Sequence, residues 1–203
     1  MNIIFYIIIS ALFISNIVFA FKQRNESNYT YRIVYFSRVK DWIFCILTIW
    51  GLVTAVVVID PYIPEFLKFG IFSLLGKEGT NANVEAINQS SIISPVLTIG
   101  VFAFFVLFLP KAAYFEERQF RHNIFEFKKS IITNIKFGLL HCIVGVPIWI
   151  GLLLSIIGFI FTIRYILEYR KTGSKELALY ASTSLHGKYN FILILLFTLT
   201  LVL

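Results

Sequence analysis

Between Trp42 and Ile59 the chain reads WIFCILTIWGLVTAVVVI, a run without any charged side chain. A helix needs about 20 mostly apolar residues to cross the hydrocarbon core of a bilayer. Asp60 and Pro61 follow directly and end the run. The run therefore predicts a membrane-spanning helix, and further runs of this kind lie on both sides of it.

The composition of the whole chain is that of a protein that lies mostly in lipid. Of its 203 residues, 58% are hydrophobic and only 14% are charged, whereas a soluble domain carries about 25% charged residues. No water-soluble core could bury this much apolar surface. The composition excludes an ordinary cytosolic enzyme, a secreted disulfide scaffold and a disordered tail. Cys45 and Cys142 lie inside apolar runs, and we interpret them as small buried hydrophobic residues.

The apolar runs predict an all-α fold, a polytopic transmembrane bundle of about 6–8 membrane helices that forms a single domain over 1–203. The predicted helical segments are 2–21, 42–59, 92–109, 111–129, 131–146, 148–167 and 176–203. Pro110 is expected to break the helix before it, and 66–75 is expected to form a short interfacial helix. We interpret 2–21 as an uncleaved span and not a signal peptide, because no Lys or Arg precedes it.

The net charge of +7 is explained by orientation in the membrane and not by nucleic acid. Positive charge stays on the cytoplasmic side, so the basic links at 22–40, 128–136 and 164–175 are predicted to be cytoplasmic. This assignment requires that the segment 111–129 is interfacial, re-entrant or strained in its topology, and the charge rule leaves that segment unresolved. The nearly neutral loop at 60–90 is predicted to lie outside. A composition rich in Ile, Asn and Lys favours a multi-pass protein of a bacterial plasma membrane.

Polar side chains inside apolar helices are the candidates for function. A charge near the bilayer centre costs roughly 2.5–3.5 kcal/mol on insertion scales, so it needs a partner or a purpose. Glu117 and Arg121 are four residues apart, and we expect them to share a helix face and to pair. Glu116 is rotated by about 100° from its neighbour and can point elsewhere.

Two histidines add to this set. His141 is isolated in an apolar segment, and His186 lies four residues before Asn190, which places both on one helix face. Taken singly, a Glu pair indicates a solvated surface, and a lone His or a His–Asn pair indicates a hydrogen-bonded structural group. Their occurrence together on three helices of one small membrane protein favours a common site.

The chemistry of these groups is that of a hydrolase that uses water directly. A carboxylate in a low-dielectric cavity becomes basic enough to take a proton from water. Imidazole can return that proton, and imidazole and amide groups can donate hydrogen bonds to an oxyanion, at roughly 3–4 kcal/mol per donor. The sequence has no G-x-S-x-G elbow, Walker loop or H-E-x-x-H helix. These groups predict peptide-bond hydrolysis without a Ser or Cys nucleophile.

Three motifs in order carry a family resemblance. E-E-x-x-x-R at 116–121, F-x-x-x-H at 137–141 and H-x-x-x-N at 186–190 resemble the signature of the CAAX-protease and bacteriocin-processing family of intramembrane endopeptidases, also called the Abi family. The resemblance covers 111–203 and implies that this part is the catalytic core. It implies a peptide or a membrane-anchored protein as substrate.

The resemblance also assigns roles to the first two motifs. Glu116 matches the glutamate that activates the hydrolytic water, and His141 matches the histidine that assists it. Glu117 matches the second acidic position, which Arg121 anchors. Phe137 matches the packing residue of the second motif.

In the third motif, His186 and Asn190 match the pair that stabilises the oxyanion. The resemblance favours a glutamate-dependent mechanism that needs no cofactor. Two His and one or two Glu could bind zinc in principle. If a metal were present, its ligands would be Glu116, His141 and His186.

Two other classes of function stay open. One is a non-catalytic membrane protein, such as a bacteriocin self-immunity factor. The other is a proton-coupled transporter that uses Glu and His as a relay. The first two spans offer few polar residues for a proton path, which argues against the transporter. The expected partners are therefore the peptide substrate and the lipid bilayer, without nucleic acid.

Two details complete the predictions. Gly151, Ser155 and Gly158 form a stripe of small residues, which permits close approach of another helix. Lys188 points away from the face of His186 and Asn190, and we expect it to reach water by snorkelling or to contact substrate.

Overall fold

A computed structural model describes residues 24–69 and 93–202, together with the isolated positions 14 and 18. In this part of the chain every regular element is helical and there is no strand, so the all-α prediction is confirmed. The α-helices are α1 (Arg24–Tyr35), α2 (Val39–Ile59), α3 (Glu65–Lys68), α4 (Ile93–Phe120), α5 (Phe127–Leu140), α6 (Ile148–Thr172) and α7 (Lys175–Val202), with 3₁₀ turns at Asp60–Tyr62 and His141–Val144.

Helix α7 is the centre of the arrangement. It packs against α1, α2, α4 and α6, while α5 packs along α6. The apolar core lies where these helices meet, and it includes Cys45 and Ile49 of α2, Phe137 of α5, Phe161 of α6 and Leu185 of α7. Polar residues of α4 and α7 that adjoin this core are therefore shielded from water.

Helix α2 is apolar on nearly all sides, yet it is mostly exposed. Only Cys45 and Ile49 are buried in it, while Leu47 and Trp50 are 60% and 71% exposed. Of the described helices, Val39–Tyr62 and Ile148–Thr172 are long and apolar enough to cross a membrane. An exposed helix with an apolar surface all round is suited to contact with lipid. These two helices support association with a membrane.

The expected break at Pro110 is wrong, because α4 runs without interruption from Ile93 to Phe120. A proline has no N–H to donate to the carbonyl four residues earlier, which here belongs to Val106. The hydroxyl of Tyr35 donates to that carbonyl, and the hydroxyl of Tyr31 donates to the carbonyl of Leu107. Burial raises the pKa of the Tyr35 hydroxyl, which keeps it a proton donor. Tyr35 of α1 thus satisfies the carbonyl that Pro110 leaves without a donor, and Tyr31 adds a second bond to the next carbonyl.

Other boundaries also differ from prediction. The link predicted at 22–40 contains α1, and the segment predicted at 111–129 is divided by a turn between α4 and α5. The link predicted at 164–175 is the end of α6, which turns into α7 at Gly173 with a φ of 68°. Of the interfacial helix expected at 66–75, the structure describes one helical turn within α3. The span predicted at 2–21 lies outside the continuous described segments.

The small-residue stripe on α6 does bring another helix close. A Cβ at Gly138 of α5 would lie 2.1 Å from the carbonyl oxygen of Gly151 and 2.2 Å from the hydroxyl of Ser155. At Gly158 a Cβ would lie 2.8 Å from the guanidinium of Arg121. The absence of side chains at these positions lets α5 and α6 pack backbone to backbone, as predicted.

Candidate active site

The site is built around a carboxylate and an imidazole that are both fully buried. Glu117 near the end of α4 is 0% exposed, and His186 in the middle of α7 is 1% exposed. Oε1 of Glu117 accepts a hydrogen bond of 2.8 Å from Nδ1 of His186. It also lies 3.1 Å from Nη1 of Arg121, which is likewise fully buried. The pairing expected from the spacing of Glu117 and Arg121 is therefore present.

Arg121 is held on several sides. Its Nη2 donates to the carbonyl of Gly158 at 3.3 Å and to Oδ1 of Asn134 at 3.4 Å. The guanidinium carbon lies 4.1 Å from the centroid of the Phe137 ring. A cation over an aromatic face is attracted by the ring quadrupole, most strongly where water is excluded. The arginine thus joins α4, α5 and α6 and fixes the position of Glu117.

The sequence reasoning missed the residues that support Arg121. Asn134 is 1% exposed and donates to the hydroxyl of Ser130 at 3.3 Å and to that of Thr162 at 3.0 Å. Thr162 in turn donates to the carbonyl of Gly158 at 3.1 Å. A signal was present, because Ser130 and Asn134 are four residues apart and Thr162 continues the small-residue stripe by one turn.

His186 is oriented by groups on all sides. Its ring stacks on Phe161 with a centroid distance of 4.6 Å and an interplanar angle of 19°. Because an ionised carboxylate only accepts hydrogen bonds, Nδ1 of His186 carries the proton toward Glu117. Nε2 lies 3.0 Å from the amide nitrogen of Asn190, in agreement with the expected shared face. In the neutral imidazole Nε2 accepts from this amide, and in the imidazolium it is a second donor.

Glu116 approaches the other side of the imidazole. Its Oε2 lies 3.6 Å from Nε2 of His186, and its side chain is 34% exposed. Oε2 of Glu116 and Oε2 of Glu117 are buried atoms without a hydrogen-bond partner among the residues described. The adjacent carboxylates therefore differ, since Glu117 is enclosed and ion-paired while Glu116 is partly open. This is the divergence expected from their 100° rotation.

His141 is linked to this group through the Phe137 ring. It lies in the 3₁₀ turn that follows α5, and its Nδ1 is 2.8 Å from the carbonyl oxygen of Phe137 in the same helical segment. The Phe137 ring contacts both imidazoles, with centroid distances of 4.9 Å to His141 and 5.6 Å to His186. The structure brings Glu116, Glu117, Arg121, His186 and Asn190 together, and the assistance of Glu116 by His141 stays a prediction.

No cluster of three or more His, Cys, Asp or Glu side chains within the described ranges could hold a metal ion. Glu116 and His186 approach one another, whereas the nearest bond of His141 is to backbone. Of the third histidine, His122, the structure shows an exposed ring beside the Asn123 amide, at 3.0 Å.

Lys188 differs from expectation, because it neither snorkels nor faces the site. It points away from His186, as predicted, but it is 0% exposed. Its Nζ lies 3.1 Å from the carbonyl oxygen of Ile33 and 2.7 Å from the hydroxyl of Ser37. Helix α1, which the sequence did not predict, supplies the Ile33 carbonyl, and Ser37 follows the end of that helix.

Comparison with protein-family models, curated proteins and solved structures finds no match for this chain. The resemblance to the CAAX-protease and bacteriocin-processing family therefore rests on the motif residues at 116–121, 137–141 and 186–190. Membership of the chain in that family is therefore a proposal.

Proposed function

We propose that this chain is an intramembrane endopeptidase of the CAAX-protease and bacteriocin-processing type, which uses a glutamate to activate water. One observation carries the proposal. The enclosed Glu117 orients His186 through Nδ1, while Nε2 faces Glu116 at 3.6 Å and Asn190 at 3.0 Å. A carboxylate, an imidazole and an amide thus surround one point beside the partly open Glu116, which are the groups that hydrolysis by water requires.

In the proposed mechanism Glu116 is the general base. It takes a proton from water as the water oxygen forms a bond to the scissile carbonyl carbon. When the C–N bond breaks, Glu116 gives that proton to the leaving amine and returns to its ionised form. Its partial exposure suits this role, because both water and the peptide must reach its carboxylate.

His186 and Asn190 stabilise the tetrahedral oxyanion. With a proton on each ring nitrogen, His186 donates from Nδ1 to Glu117 and from Nε2 toward the oxyanion. Glu117 acts as a positioning residue that keeps the ring oriented and compensates its charge, and Arg121 keeps Glu117 ionised. Such a donor aimed at developing charge in a dry site is typically worth about 3–4 kcal/mol. His141 bonds to backbone through Nδ1, and its assistance of Glu116 stays part of the proposal.

The proposed multi-pass topology places the basic segment at 22–40, the start of α5 and the end of α6 on the cytoplasmic side. Because α4 is continuous, 111–120 is the cytoplasmic end of the third span and needs no crossing of its own. Helix α5, with 14 residues, and the 3₁₀ turn after it, with four, extend about 29 Å in total, close to the hydrocarbon thickness. Together with the span predicted at 2–21, this gives six passes in a bacterial plasma membrane.

The proposal is tested by comparing the membrane peptides of cells that produce the wild-type chain or the Glu116→Gln variant. We expect new peptide termini in the wild-type membranes that are absent with Glu116→Gln and with His186→Gln. Glu126→Gln and His122→Gln are matched controls, because both side chains are exposed outside the site, and they should leave the termini unchanged. Identical termini in wild type and Glu116→Gln, at equal protein levels, would reject the protease.

A chelator distinguishes hydrolysis by side chains alone from hydrolysis that depends on a metal ion. The wild-type termini should continue to form in isolated membranes treated with a strong chelator, because the proposed base and donors are side chains. Loss of cleavage that zinc restores would replace this mechanism with a metal-dependent one.

A non-catalytic membrane protein, such as a self-immunity factor, is the second candidate. The full burial of Glu117 and Arg121 favours it, since an enclosed ion pair is also suited to a structural role. In that case Glu116→Gln would change neither peptides nor stability, while substitution of Glu117 would unfold the protein.

A further inference from the structure

A second polar centre lies on the opposite side of α7 from the candidate active site. The ammonium of Lys188 is fully buried and bonds to the carbonyl of Ile33 and the hydroxyls of Ser37 and Ser184, at 3.1, 2.7 and 2.5 Å. All three partners are neutral. Among the residues described, none of these hydrogen bonds goes to a carboxylate, and Asp41 acts on the ammonium only through space.

A cavity opens to the surface beside the two serines that bind this lysine. It has a volume of about 160 Å³ and lies between α1, α2, α6 and α7. Ser37 and Ser184 form part of its wall, and both hydroxyls are the ones that bind Lys188. The remaining polar wall consists of Arg38, Asp41, Arg164 and Glu168.

The charges around the cavity do not balance. Arg38, Arg164 and Asp41 all lie close enough to Lys188 to interact with it electrostatically. Glu168 is engaged by Arg164 at 3.4 Å. Counting Lys188, three cations face two carboxylates. Nε of Arg164 is buried and has no hydrogen-bond partner among the residues that the structure covers.

We propose that this cavity binds the phosphate of an anionic phospholipid headgroup. Guanidinium groups match phosphate geometry, so Arg38 and Arg164 are its main ligands, and Lys188 contributes the excess positive charge from behind the wall. Basic pockets between membrane helices on the cytoplasmic side are suited to such headgroups.

Two neighbouring features favour a lipid over a soluble phosphate. Ile43 and Leu47, which follow Arg38 on α2, are apolar and more than half exposed, so acyl chains can lie along that helix. Tyr29 and Tyr180 meet edge to face at 4.6 Å in the cavity wall, and tyrosine is enriched at the headgroup level of membranes. The bound lipid would therefore hold α1, α2, α6 and α7 together from the cytoplasmic side.

This inference does not depend on the proposed protease. It is tested on the purified full chain in detergent micelles by native mass spectrometry, with phosphatidylglycerol, phosphatidylcholine or glycerol 3-phosphate added. We expect phosphatidylglycerol to bind at least about tenfold more tightly than phosphatidylcholine. Arg38→Gln/Arg164→Gln should lose that preference, because each guanidinium contact to a phosphate is worth about a factor of ten.

The matched control is Arg170→Gln/Lys171→Gln, which removes two exposed cations from the last turn of α6 outside the cavity wall. It should bind phosphatidylglycerol like wild type. Arg38→Gln alone changes an exposed side chain, so it tests the site without a risk to folding and should weaken binding about tenfold. Three results would overturn the assignment. The control pair could lose phosphatidylglycerol binding as much as the double cavity variant does, or the double cavity variant could bind the lipid like wild type. Displacement of the lipid by equimolar glycerol 3-phosphate would also overturn it.

Discussion

His186 and Lys188 are two residues apart on one helix, and the structure treats their charges in opposite ways. His186 lies in a cluster where Glu117 and Arg121 supply both signs of charge in direct contact. The ammonium of Lys188, by contrast, bonds to neutral oxygens of Ile33, Ser37 and Ser184. In the first cluster, side chains of opposite charge contact one another directly. The second cluster presents positive charge to an open cavity.

The difference indicates which interactions each cluster needs. Removing one partner from a buried ion pair leaves an uncompensated charge, which is the costly outcome. Removing a cation that has no ionised partner leaves only unbonded neutral oxygens, which costs less. The two centres should therefore respond differently to single substitutions, and the following variants measure that contrast.

Glu117→Gln should have the largest effect. It leaves Arg121 buried without its carboxylate, and we expect a loss of about 3–5 kcal/mol in the free energy of unfolding. The measurement is SDS titration of the purified protein in detergent micelles. Glu126→Gln, which removes the exposed partner of Lys129, should cost less than about 1 kcal/mol. Equal losses for the two variants would show that the enclosed pair does not hold the bundle.

Gly158→Ala tests the packing of the same cluster without changing a charge. Its Cβ would lie 2.8 Å from the Arg121 guanidinium and 2.9 Å from Oδ1 of Asn134, so the guanidinium must move. We expect a loss of about 1–3 kcal/mol in the same titration. Gly51→Ala is the control, because a Cβ there meets nothing within 4 Å, and the better helix propensity of Ala should raise stability slightly.

Lys188→Met measures the other cluster. The uncompensated ammonium disappears while three oxygens lose a donor, and we expect a net loss of about 1–2 kcal/mol. The variant should also bind phosphatidylglycerol more weakly than wild type. A loss as large as that of Glu117→Gln would mean that Lys188 is compensated by a carboxylate after all, which would remove the contrast between the clusters.

Tyr35→Phe should have the smallest effect on the free energy of unfolding. It tests the attachment of α1, which contributes to the lysine cluster, to α4, which carries Glu116 and Glu117. Helix α1 supplies Ile33 to the lysine cluster, and Ser37 follows directly after the helix. Tyr35 attaches α1 to α4 by donating to the carbonyl of Val106, which has no N–H partner because residue 110 is proline. Loss of this hydrogen bond should cost about 1 kcal/mol. Tyr189→Phe is the control, since its hydroxyl is buried without a partner in the described part of the chain, and its removal should be neutral or stabilising.

Most of the helices could be predicted from apolar runs and helical spacing, because these are local properties. Pro110 could not be interpreted in this way. Its effect depends on whether another helix satisfies the freed carbonyl, and Tyr31 and Tyr35 of α1 lie more than seventy positions earlier in the chain. The link at 22–40 was wrongly predicted for a related reason, since α1 is polar and is stabilised by its contacts with α4 and α7.

In the candidate site, spacing predicted the two pairs within single helices, Glu117 with Arg121 and His186 with Asn190. It could not predict that Glu117, and not Glu116, is the carboxylate that bonds to His186. That choice depends on the rotation of α4 against α7. It likewise gave no indication that Asn134 completes the binding of Arg121 from α5.

By itself, the sequence determined the helical class, the apolar surfaces and the residues that share a helix face, because periodicity within one helix follows from backbone geometry alone. Only the tertiary structure decided which buried charges meet. Contacts between helices depend on how their axes rotate and approach, and that is set by packing at small residues such as Gly138 and Gly158. The same packing places the Phe137 ring against both His141 and His186 and encloses Lys188.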